Sequence, residues 1–288
     1  MENLEIWCGD CVRLPLEDDA ADLVFFSPPY EDARVYGDLG FKLRGMAWAQ
    51  WMLPRVREAA RISRGIVACV VNGRTRDFCW SGTPFMLWLA MQEAGLFMRK
   101  PLIFRRDGIP GSGGPDWFKD NYEFVICGSR HPGRLDTIDN KAMGKPPKFR
   151  PGGGPCYRRK DGSRAADAYA PPEIANPGNI IDCIVGGGHM GHKLAHENEA
   201  PFPEYLAELV IRSLSRPEAL VVDIMAGSGT TLAVAAKCGR RAVGVDVRMD
   251  QCELMQRRLE DEVKIKPTIR PLDPPPAAEM RQPIEEAA

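Results

Sequence analysis

Leu220-Val221-Val222-Asp223-Ile224-Met225-Ala226-Gly227-Ser228-Gly229-Thr230-Thr231 reads as an apolar strand, a turn of small residues and the start of a helix. The short apolar run suits a strand buried on both faces, and the glycines let the backbone reverse and come close to a ligand. The helix that follows has N–H groups without intrahelical partners at its start, so polar atoms lodged in the turn meet ready donors. Arg241-Ala242-Val243-Gly244-Val245-Asp246 is a second apolar strand ending in an acid, about 20 residues after the turn. A carboxylate there can accept hydrogen bonds from both hydroxyls of a ribose.

The pair describes a nucleoside cofactor site. The turn has no lysine of the phosphate-loop kind, and its glycine spacing differs from the dinucleotide fingerprint. A cofactor without phosphates, such as S-adenosylmethionine, is therefore expected.

Outward from this segment the chain alternates strand with helix. Helices are expected at about 203–215, through Lys237 and at 249–259, around strands at 219–224 and 241–245. Toward the N-terminus, strands are expected at 4–8, 22–26, 66–71, 102–104 and 122–127, with helices at 46–62 and 84–94. This is the pattern of a layered α/β sheet. Residues 131–188 turn to Pro, Gly, Arg and Lys, including Lys145-Pro146-Pro147-Lys148 and Pro151-Gly152-Gly153-Gly154-Pro155, and read as an insertion into one domain. A shorter Gly-rich loop spans 108–115, and the Pro-rich, acidic stretch beyond residue 264 is expected to be disordered.

At the end of the second strand stands Ser27-Pro28-Pro29-Tyr30. Each proline fixes its own φ and removes an N–H, so the Ser27 hydroxyl and the Pro28 carbonyl sit in a stiff loop beside the flat ring of Tyr30. Two acceptors and an aromatic face suit a planar ring bearing an exocyclic amino group. The plainer reading is a strand closed by a Pro-Pro turn.

At 288 residues and 44% hydrophobic content the chain can bury a real core. No apolar run approaches the roughly 20 residues that span a bilayer, and no basic segment leads into an apolar one at the start, so a cytoplasmic protein without a membrane partner is expected. Nine scattered cysteines, an odd number, fit reduced thiols. Net charge is −1, so any polyanion would be met by local basic stretches, at 99–106 and 141–164, rather than by the whole surface. Cys8-Gly9-Asp10-Cys11 and the pair His189 and His192 raise a zinc site, but a second C-x-x-C is missing and no metal is expected.

Taken together, these segments resemble the beta class of DNA amino-methyltransferases, the N4-cytosine and N6-adenine family, over residues 4–260. The resemblance implies an α/β, Rossmann-like methyltransferase fold with a seven-stranded, mostly parallel sheet, circularly permuted and carrying a target-recognition insertion. It divides the chain into a catalytic half at 1–130, the insertion at 131–188, a cofactor-binding half of the same domain at 189–263, and the tail at 264–288. Ser27, Pro28, Pro29 and Tyr30 look like the catalytic tetrapeptide. Asp223, Met225, Ala226, Gly227, Ser228, Gly229, Thr230 and Thr231 look like the cofactor loop, with Asp246 on the ribose. Asp10 stands where the family contacts the adenine of S-adenosylmethionine, and Ala200-Pro201-Phe202-Pro203 is similar to a segment that packs Phe202 against its methionine part. Tyr122-Glu123 fits the layout as well.

The implied reaction is methyl transfer to the amino group of a base flipped out of double-stranded DNA, with Tyr30 as its stacking platform. Ser at the first position leans toward cytosine N4, with adenine N6 as the alternative. A homodimer and a cognate restriction endonuclease are partners the resemblance leaves open. Two features depart from the family: His196-Glu197-Asn198-Glu199 adds residues before Ala200, so His196 is given no role, and Met225-Ala226 replaces a more usual aromatic or cysteine. Remoter readings are an RNA or protein amino-methyltransferase, in which the cofactor loop would come first, and a DNA-binding protein with an inactive site.

Overall fold

The computed structural model describes residues 4–31, 42–108, 113, 115, 117–147, 160–163, 172–186 and 188–274. The Pro151–Pro155 run, Lys148, much of the Gly-rich 108–115 loop and residues 275–288 lie outside them.

β1 (Leu4–Cys8) and β2 (Ala21–Phe26) lead into α1 (Gly45–Ile62) and β3 (Ser63–Val71). A small hairpin, β4 (Thr75–Arg76) and β5 (Cys79–Trp80), precedes α2 (Thr83–Glu93), β6 (Phe97–Met98), β7 (Leu102–Asp107) and β8 (Tyr122–Ser129). After β9 (Ile180–Ile184) and a 3-10 turn (Lys193–Glu197) come α3 (Glu204–Leu214), β10 (Leu220–Asp223), α4 (Thr230–Lys237), β11 (Arg241–Asp246), α5 (Met249–Val263) and β12 (Ile269–Pro271).

Every residue of β2 is buried, because the sheet is covered on both sides. Leu23 and Phe25 pack with residues of α3, α4 and α5, while Val24 and Phe26 pack with Trp48, Met52 and Val56 of α1 and Leu87 and Met91 of α2. The helical spacing of Trp48, Met52, Val56 and Ala59 gives α1 one buried stripe.

The sheet runs β12-β1-β11-β10-β2-β3-β8-β7-β9, with β6 on β8. Seven strands, β1 to β7 in that order, form the expected mostly parallel frame, in which only β8 opposes its neighbours. The permutation is visible in it: β10 and β11 follow β2 in the chain yet lie between β1 and β2 in the sheet. Asp22 joins the two halves at the base of β2, accepting from the Leu220 N–H at 2.8 Å and pairing with Arg64.

Three short strands extend the seven. β9 falls inside the stretch read as an insertion, because residues 180–184 alternate exposed and buried side chains and pair parallel to β7. The tail expected to be disordered from residue 264 instead adds β12 beside β1, where the Leu272 N–H donates to the Cys8 carbonyl at 2.8 Å. β6 pairs with the end of β8 through Phe97 and Met98.

Candidate active site

The loops after β1, β2, β10 and β11 converge on one cavity of about 290 Å³ at the C-terminal ends of these parallel strands. That is where α/β sheets of this kind bind ligands, at the reversal of strand order. Asp10, Ser27, Pro28, Pro29, Phe202, Met225, Ala226, Gly227, Ser228, Thr230 and Asp246 all line it.

At one end, Asp246 closes β11 and accepts from two backbone N–H groups, Gly227 and Arg248, each at 2.9 Å. Each oxygen keeps a lone pair for a ligand hydroxyl. Burial raises the Asp246 carboxyl above its usual range. Asp10, at the end of β1, pairs with Arg55 at 2.8 Å, and that guanidinium lies 3.9 Å from the Trp51 ring centroid. The other nearby cation, Arg248, is held by both oxygens of Glu199 at 2.8 and 2.9 Å. With both arginines committed to carboxylates, the acceptors left in the lining suit hydroxyls and a positive centre rather than phosphates. Burial pushes the Cys11 thiol up to about 12, so it meets the cavity as a neutral wall.

The glycine turn between β10 and α4 owes its shape to residues beneath it. Gly227 and Gly229 take φ of +50° and +77°, and a Cβ on Gly229 would come within 2.4 Å of Met255. Asp223, Gly229 and Thr231, expected at the cofactor, do not line the cavity. Asp223 instead accepts from the Met225 N–H at 3.0 Å and the Thr231 hydroxyl at 2.5 Å, pinning both ends of the turn. Burial pushes its carboxyl up to about 7. Arg258, fully buried, donates to the Thr230 hydroxyl, Glu204 and Glu262, each at 2.8 Å.

At the other end, the Ser27 hydroxyl donates to the Val70 carbonyl at 3.2 Å. Its single proton is thus turned toward β3, leaving the oxygen as an acceptor. Trp48 Nε1 donates to the Pro29 carbonyl at 2.8 Å, fixing the second proline against α1. Tyr30 is half-buried beside the cavity rather than in its lining, and its hydroxyl donates to Glu123 at 2.6 Å. Burial and the Glu123 carboxylate hold that hydroxyl well above its ordinary pKa. Glu123 in turn pairs with Arg106 at 2.7 Å.

Phe202 lies with Ala200 and Pro201 in the cavity wall, its ring 5.2 Å from that of Phe25. Sequence reasoning did not find Trp51, Arg55, Asn198, Glu199, Arg248 or Arg258. The residues that depart from the family before Ala200 are used here: the Asn198 amide donates to Gln251 at 2.9 Å and packs against Gly227, and Glu199 holds Arg248. His192 spends its ring on Asp261 and the Leu194 N–H, away from the cavity.

A family model described as DNA methylase, of the N6 and N4 type, matches residues 21–257. The orphan methyltransferase M.BamHII of Bacillus amyloliquefaciens is 28% identical over 267 residues, covering 88% of this chain and 91% of its own length. The DNA adenine methyltransferase YhdJ of Escherichia coli is 25% identical over 255 residues, covering 86% and 78%. Among solved structures, the cytosine-N4-specific PvuII DNA methyltransferase superposes with a TM-score of 0.64 at 19% identity, covering 88% of this chain and 86% of that one.

Proposed function

The chain belongs to the DNA methylase family, and from that premise we propose that it methylates an exocyclic amino nitrogen of a base in double-stranded DNA, cytosine N4 first and adenine N6 as the second reading. The observation that carries the proposal is the single cavity with Asp246 and Asp10 at one end and Ser27, Pro28 and Pro29 at the other. A cofactor and an acceptor can meet there.

S-adenosylmethionine, when bound, supplies an electrophilic methyl group on a sulfonium. Asp246 would hold the ribose hydroxyls and Asp10 the adenine side, with Phe202 and Met225 against the apolar parts. An exocyclic amino nitrogen is a weak nucleophile, because its lone pair is delocalised into the ring. Ser27 Oγ and the Pro28 carbonyl accept its two N–H bonds and draw it toward tetrahedral geometry. Held so by Ser27 and Pro28, the lone pair would point toward the methyl group that the cofactor would supply, and the proton released from the methylated amine would pass to solvent. Positioning supplies much of the acceleration. The base must leave the helix to reach this site, and the Tyr30 ring, fixed through Glu123, is the platform beside it.

Ser27 at the first position of the tetrapeptide supports the cytosine reading through the family resemblance, since a neutral acceptor could serve either base. The YhdJ relative, a DNA adenine methyltransferase, supports the second. Residues 1–130 and 189–263 serve as the two halves of one domain, with 131–188 as the recognition segment apart from β9. Several relatives are named as type II methyltransferases, which supports a cognate restriction endonuclease as partner.

The test is transfer of labelled methyl from S-adenosylmethionine to unmethylated genomic DNA, followed by nucleoside analysis. Label in 4-methylcytosine is expected. Label in N6-methyladenine selects the second reading, and label in neither overturns both.

A further inference from the structure

The hairpin that follows β3 ends in a residue the reaction above does not use. β4 and β5 pair Thr75 with Trp80 and Arg76 with Cys79, so Asp77 and Phe78 form a two-residue turn. Both have positive φ, +47° and +63°. Such turns favour Asp-Gly or Asn-Gly, because an L side chain is strained there. Phe78 stands in the glycine's place with 75% of its surface exposed. An aromatic ring held in an unfavourable backbone region and pointed at solvent gains the folded protein nothing, and strain of this kind collects at functional sites.

The hairpin is rigidly joined to the catalytic loop. Glu31, buried and next after Tyr30, accepts from the Arg74 N–H at 3.0 Å and the Gly45 N–H at 2.8 Å. The Ser81 N–H donates to the Arg74 carbonyl at 3.0 Å, continuing the ladder. Trp80 lies so close over Gly73 that a Cβ there would meet its ring at 2.7 Å, and it packs edge-on against Phe85. Four residues of extended chain from Arg74 put the tip within about 13 Å of the Glu31 contact. Arg74 and Arg76 outweigh Asp77 and leave the same hairpin with a net positive charge, the sign that matches a phosphate backbone.

We propose that Phe78 is the wedge that enters the base stack of duplex DNA where the target base leaves it. Apolar side chains inserted between base steps unstack them, and a ring that fills the vacated space keeps the base from returning. The proposal rests on the DNA methyltransferase reading. Phe78 is a positioning residue, since it touches neither cofactor nor reacting atoms.

The test compares two duplex oligonucleotides carrying the methylated site mapped on genomic DNA, one fully paired and one with an abasic position opposite the target base. Phe78→Ala should lower kcat/KM on the paired duplex by about tenfold or more, and change it less than about twofold on the duplex whose target is already unpaired. Phe78→Trp should restore activity on the paired duplex, and S-adenosylmethionine affinity should not move. Equal losses on both duplexes, no loss on either, or a loss traced to a changed oligomeric state each overturns the wedge while leaving the methyltransferase reading in place. Wild-type protein that methylates no DNA overturns that reading, and the wedge with it.

Discussion

The two loops that meet at the cavity are made rigid by opposite means. Ser27-Pro28-Pro29-Tyr30 is stiff in its own covalent structure and is clamped from outside, by Val70, by Trp48 and by Glu123. The Met225–Thr231 stretch is built on glycines at positive φ and is held from below by buried polar groups, the Asp223 carboxyl and the Arg258 guanidinium. The first loop lines the cavity with neutral groups, Ser27, Pro28 and Pro29. The second lines it with Met225, Ala226, Gly227, Ser228 and Thr230 and keeps its own supports, Asp223 and Arg258, out of the cavity.

That contrast can be broken at its strongest point first. Arg258→Ala takes the fully buried partner from Glu204 and Glu262, leaves them only the half-exposed Lys237 among the described cations and empties a buried site, and should cost about 3–5 kcal/mol of stability in urea unfolding. S-adenosylmethionine affinity should fall with it, as the Thr230 contact is lost.

Asp223 gives a pH signature of up to roughly 4 kcal/mol, from a carboxyl raised from 3.8 to about 7 by burial. The folded protein then holds a proton that the unfolded chain has released, so this group's contribution is largest below about pH 4 and is lost as pH rises to about 7. The stability of wild type minus that of Asp223→Asn should fall across that window and level off above it. A difference that rises with pH would show Asp223 to be stabilised as the carboxylate.

The smallest effect lies in the Ser27–Tyr30 loop. Trp48→Phe removes one hydrogen bond to the Pro29 carbonyl and part of a ring from a fully buried position, and should cost about 2–3 kcal/mol. Turnover should drop while cofactor affinity stays, because α1 supports only the Ser27 side. A loss of cofactor affinity as large as that of Arg258→Ala would erase the distinction between the loops.

What was legible in the sequence is what is local. The strand, glycine turn and helix at 220–231 and the acid of Asp246 lie close together in the chain, and Ser27-Pro28-Pro29-Tyr30 carries its stiffness in its own residues. Supports that depend on distant partners were invisible. Arg258 reads as one more charge on an amphipathic helix until α3 and α4 close over it, and Glu199 reads as part of an insertion until Arg248 meets it. β9 escaped notice because its two-residue alternation spans only five residues inside Gly- and Pro-rich sequence, and β12 because only three residues pair with β1. The roles of Asp223 and Thr231 depend on burial, which a motif does not reveal: they brace the turn from beneath.

The division of labour between the loops is tested most directly by measuring S-adenosylmethionine affinity by calorimetry and single-turnover methyl transfer to DNA on Ser27→Ala and Asp246→Ala side by side. Ser27→Ala should bind the cofactor as wild type does and transfer methyl about a hundredfold more slowly, as expected for loss of a positioned hydrogen-bond partner of the reacting group. Asp246→Ala should bind the cofactor at least about tenfold more weakly and, at saturating cofactor, keep most of its transfer rate. Equal loss of binding and transfer in both variants would contradict the account.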